Sequence, residues 1–209
     1  MPLRPPSRDF IRPVRGFRSP EAAVFLASLD DLTARVASDL RGLGPRELEW
    51  QPARGRNSIG MLLAHCALVE VIWMGPATGR TVTDFERIVG IGIDDDGMPA
   101  APDARHPRAI RGWRLSDYLA LLKRSRAFVR RTAKRWTPRE LEQPLRRQWR
   151  SQNRIQLYHR RWILYHLLEH LAGHYGQMLL LKQLMKVKAP ARAKFVRRAS
   201  AGTRARARR

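Results

Sequence analysis

The run Tyr165-His166-Leu167-Leu168-Glu169-His170-Leu171-Ala172-Gly173-His174-Tyr175-Gly176-Gln177 sets His170 and His174 four residues apart inside a segment that reads as one long helix. Residues at i and i+4 lie one above the other on a helix face, so both imidazoles can converge on one metal ion. Two ligands are half a site. The chain therefore has to lay a second helix, with a further donor, against this one.

Helical periodicity dominates the rest of the chain. Ser19-Pro20-Glu21 supplies an N-cap, a proline at N1 and an early acid, and Val24, Leu26, Leu29, Leu32, Val36 and Leu40 follow at helical spacing until Gly42 and Gly44. After a short capped piece at Pro45 to Pro52, Asn57 or Ser58 opens a strongly apolar second helix from Ile59 to about Met74, closed by Gly75-Pro76. A third spans Ser116 to Trp136, and the fourth runs from about Arg154 to Lys186, long enough to cross a bundle. No alternating strand pattern has comparable strength. The expectation is an all-α chain, an antiparallel four-helix bundle with a long irregular loop, Ala77 to Trp113, between helices two and three.

The second helix offers the third ligand. His65 sits midway along Ile59 to Glu70 among residues that face the core, where an imidazole without a partner is costly. Together with His170 and His174 it makes a three-nitrogen site with open positions. The alternative is a set of core histidines bonded to one another or to Glu169. His166, one turn before His170, is expected to orient a ligand or line the pocket mouth, and Glu169 to pair with an Arg or orient another His. His106, before Pro107, and His159 are expected at the surface, and Cys66 as a small buried side chain. Asp94-Asp95-Asp96 lacks the alternate spacing and terminal Glu of an EF-hand, and reads as a solvated turn.

Composition narrows the function classes. No apolar run reaches the roughly eighteen residues that a membrane span needs, so no membrane partner is expected. The N-terminus lacks the apolar core of a secretory signal, which points to the cytoplasm. One cysteine excludes an internal disulfide and a cysteine-based zinc site. The formal charge is +23, but residues 1–20 carry five Arg against Asp9 and residues 186–209 carry ten Lys or Arg with no acid. Residues 1–18 and 187–209 thus read as basic, disordered extensions flanking a domain at 19–186, with weak nonspecific attraction to nucleic acid.

Asn57-Ser58-Ile59-Gly60-Met61-Leu62-Leu63-Ala64-His65 and His170-Leu171-Ala172-Gly173-His174-Tyr175-Gly176-Gln177 resemble the two signature segments of the DinB/YfiT-like metalloenzyme superfamily, a likeness running over roughly residues 17–186. The resemblance implies a four-helix bundle, a homodimer, and a zinc, nickel or other divalent ion on His65, His170 and His174. It also implies a low-molecular-weight thiol cosubstrate added to a small electrophile, a metal-dependent S-transferase; hydrolysis by a metal-activated water is a related option. Gly173 stands where many relatives carry a basic or polar residue, which leaves the thiol open. A zincin would need Glu directly after the first histidine, and Leu171 stands there. The remaining alternative is a non-enzymatic, stress-related helical binding protein whose basic tails contact nucleic acid.

Overall fold

The computed structural model describes residues 10–149 and 153–188. The order is α1 (Pro20–Asp39), α2 (Pro45–Leu48), α3 (Ile59–Thr78), α4 (Val82–Val89), a 3-10 turn at Arg108–Ile110, α5 (Leu115–Ala133), α6 (Pro138–Leu141), β1 (Pro144–Trp149), β2 (Arg154–His159) and α7 (Arg160–Lys188). The described residues are mostly helical, with one two-stranded sheet. Residues 1–9 of the expected N-terminal extension and 189–209 of the expected tail lie outside the described residues.

Local signals set the long helices. Ser19 caps α1 by accepting from the Ala22 N–H at 3.2 Å, and Ser58 caps α3 by accepting from Met61 at 3.1 Å. α3 runs four residues past its expected end because Pro76 sits in the last turn, where it removes a single ladder bond. Gly79, at φ 67°, ends it by donating to the Gly75 carbonyl at 2.8 Å. By length and composition α3 is apolar enough to cross a membrane, contrary to the expectation from sequence, yet 78% of its apolar window is buried within the protein.

α3 occupies the middle of the molecule, packed on α5 and α7, while α1 packs on α7 and α5. Leu62, Leu63 and Leu68 of α3 meet Leu26 and Leu29 of α1, Leu121 and Val129 of α5, and Ile163 and Leu164 of α7 in one buried cluster. A charged knot crosses that cluster. Arg126 of α5 donates through Nε to Glu70 of α3 at 3.1 Å and through Nη1 to Asp30 of α1 at 3.1 Å, and the Ser125 hydroxyl donates to Glu70 at 3.2 Å.

Two further expectations change. The 77–113 stretch is not wholly irregular: Thr81 and Asp84 cap α4 reciprocally, and the 3-10 turn follows. The last long helix begins at Arg160 rather than Arg154, because residues 154–159 pair antiparallel with β1, Pro144 opposite His159 through Trp149 opposite Arg154. The hairpin hid from periodicity because β2 turns Tyr158 inward and leaves Ile155 and Leu157 in solvent, 54% and 69% exposed.

Candidate metal centre

The packing of α3 on α7 brings His65, His170 and His174 together. His170 Nε2 lies 3.2 Å from His65 Nε2 and 3.1 Å from His174 Nε2, and all three nitrogens fall within 4.8 Å of one another. A tetrahedral zinc with Zn–N bonds of about 2.0–2.1 Å holds such nitrogens about 3.3 Å apart. Two of the three gaps already match.

The second ring nitrogen of each outer ligand decides what the cluster can hold. His65 Nδ1 lies 2.8 Å from the Asp96 carboxylate, and His174 Nδ1 lies 2.9 Å from the Gln177 side-chain carbonyl oxygen. Both partners accept, so each Nδ1 carries the hydrogen, and in the neutral imidazole each Nε2 then presents a lone pair to His170. A hydrogen on His170 Nε2 could serve one neighbour only, leaving two lone pairs face to face. A cation relieves both contacts. A proton is a poor occupant: burial, then the neighbouring His174, His65 and His166, push His170 down to about 3. Burial also pushes His174 down, against the opposing hydrogen bond from Gln177. The donor set therefore fits a divalent metal on three neutral imidazoles.

Asp96 corrects the reading of the acidic triplet as a solvated turn. It is 2% exposed, receives the Met98 N–H at 3.0 Å on Oδ1 and holds His65 with Oδ2. Asp94 is the exposed member, and Asp95 accepts from the Gly92 N–H at 2.6 Å. The turn depends on Gly97 at φ 68°, where an added Cβ would also come within 2.6 Å of Pro107.

His106 is likewise buried rather than at the surface. Its Nδ1 meets the Ser58 hydroxyl at 2.8 Å, its Nε2 faces the Ile110 carbonyl at 3.3 Å, and its N–H donates to Gln51 at 2.9 Å. The loop is thereby fastened to the N-cap of the helix that carries His65. Gly60 is needed there, because a Cβ would approach the Tyr118 hydroxyl to 2.4 Å and the His106 ring to 3.0 Å. His159 is exposed, as expected.

His166 stands outside the three-nitrogen group. Its Nδ1 pairs with Glu169 at 2.9 Å, its ring stacks on Trp162 at 4.8 Å with 5° between planes, and Trp73 packs edge-on at 4.6 Å. Its ring centre lies 5.6 Å from that of His170. Tyr158 of the hairpin and Arg147, whose guanidinium sits 4.7 Å from the Trp73 ring, extend this aromatic wall. Cys66 is buried, and burial beside Glu70 pushes its thiol well above the ordinary range, so it stays protonated and unreactive.

Residues 24–186 match the family described as mycothiol-S-transferase. No curated protein sequence matches the chain.

Proposed function

The chain belongs to the mycothiol-S-transferase family, a DinB-like family, and on that premise we propose that it is a metal-dependent S-transferase joining a low-molecular-weight thiol to a small electrophile. The observation that carries this reading is the convergence of three neutral Nε2 lone pairs from His65, His170 and His174. These residues would hold a divalent ion, zinc or nickel, with open positions. When bound, such an ion favours thiolate over thiol near neutral pH.

The residues around the triad supply the rest. Cys66 cannot furnish the sulfur, so the nucleophile comes from a cosubstrate. His166 has its Nδ1 hydrogen committed to Glu169, which leaves Nε2, on a ring centred 5.6 Å from that of His170, as the base to accept the thiol proton. The sulfur–carbon bond then forms to the electrophile as its leaving group departs or its multiple bond opens. Trp73 and Trp162 exclude water on the His166 side. The 77–113 segment, tied to the centre through Asp96, sets which electrophile fits. The same reading takes α1, α3, α5 and α7 as the antiparallel four-helix bundle of one domain at 19–186, which the mutual packing of these helices supports, and takes that domain to work in the cytoplasm.

The test is a turnover screen of the metal-loaded protein with several low-molecular-weight thiols against electrophilic acceptors. Conjugate formation that disappears in His170→Ala supports the reading. Stoichiometric metal without turnover of any pair would leave the protein a metal-binding bundle and not a transferase.

A further inference from the structure

At the start of α7, ten residues and so about 15 Å along the helix from His170, lies a cleft that the metal centre does not use. It has a volume of about 530 Å³ and is lined by Arg80 just past α3, by Phe128 and Arg131 of α5, and by Trp136, Glu140 and Arg160. Arg135 completes a set of four arginines facing one carboxylate. None of the four makes an ion pair among the described residues.

Two of them lie over aromatic rings. The Arg80 guanidinium lies 5.6 Å from the Phe128 ring centre and that of Arg160 lies 5.7 Å from Trp136. Cation–π contact fixes a guanidinium through its face and leaves the in-plane N–H groups to bind something else. Arg160 uses Nη1 on the Glu140 carbonyl at 3.1 Å and on Gln143 at 2.6 Å, yet its Nε is buried with no acceptor among the described residues. Glu140 is occupied, accepting from Thr137, whose hydrogen bonds hold its carboxyl below the usual carboxylate range. Arg131 and Arg135 also line a neighbouring recess with Arg18 and Lys134, so the basic surface continues past the cleft.

We propose that this cleft is a binding site for a small organic phosphate carrying more than one negative charge. Bidentate guanidinium–phosphate pairing accounts for the arginines. The Phe128, Trp136 and Ala77 walls accept the apolar or ring body that a bare phosphate would lack. A concave cleft of this size suits a small molecule; a nucleic-acid strand needs an extended groove.

The test is titration calorimetry of the full chain, without added metal or thiol, using ADP, pyrophosphate and a short single-stranded DNA. One ADP should bind per chain. Arg131→Ala/Arg135→Ala should weaken it by about tenfold or more, and Arg80→Ala should weaken it too, while the charge-matched Arg54→Ala/Arg56→Ala stays within about twofold. All the substituted arginines are exposed, so unchanged melting temperatures are expected alongside. Equal weakening by both double variants would reduce the effect to net charge and overturn the site. Saturable DNA binding without ADP binding would overturn the small-ligand assignment in favour of nucleic acid.

Discussion

Asp96 does for His65 what Gln177 does for His174: each removes the choice of tautomer and aims a lone pair at His170. Asp96→Asn should therefore weaken metal affinity about 10- to 100-fold, read by competition with a chelating dye, while Asp94→Asn changes nothing. His170→Ala should abolish most metal binding and His159→Ala none, a contrast that direct metal titration would show. The depressed titration of His170 also gives a pH dependence. In the unfolded chain His170 and His174 take up protons near 6.5, whereas in the folded, metal-free chain His170 resists until about 3. The unfolded state thus binds more protons over that window, so stability falls as pH drops from about 6.5 toward 3. Urea melts of the metal-free protein across this range should show that loss, with a shallower slope in His170→Ala. The three ligands were legible because four-residue spacing and an apolar helix each leave a mark on the sequence. Asp96 and His106 left none, since they reach α3 from a loop whose partners lie 31 and 48 residues away.

At the level of elements, the Glu70–Arg126–Asp30 knot ties α3, α5 and α1 together. The Glu70 and Arg126 side chains are 4% and 8% exposed, so removing one partner leaves the other charged and buried. Arg126→Ala should cost about 3–5 kcal/mol in denaturant unfolding. Arg35→Ala, which breaks an exposed i,i+4 pair with Asp31, should cost only about 0.3–0.5 kcal/mol. The long helices were readable from caps and 3.6-residue periodicity, with Ser19 and Ser58 bonding as capping residues do. The hairpin was not, because its apolar Ile155 and Leu157 face solvent and its inward side is Gln156 and Tyr158. α4 leaves no legible mark for a related reason: eight residues with only Phe85 and Val89 buried give too short a pattern between glycines.

Across the whole molecule, α3 is the piece on which everything converges: it carries His65, is held at its N-cap by His106, and is ion-paired through Glu70 to α5. Binding a metal to the folded state alone stabilises it by about 3–4 kcal/mol when free metal exceeds Kd by 100- to 1,000-fold. Metal site and fold are therefore linked, and one experiment reads both. The purified protein should be analysed for divalent metals, then melted before and after chelation and again after adding zinc or nickel. About one ion per chain is expected, with a melting temperature that drops by several degrees on chelation, recovers on reloading, and does not respond in the His65→Ala/His170→Ala/His174→Ala variant. Protein that carries no stoichiometric metal, and whose melting ignores both chelator and added metal, would contradict the three-histidine centre.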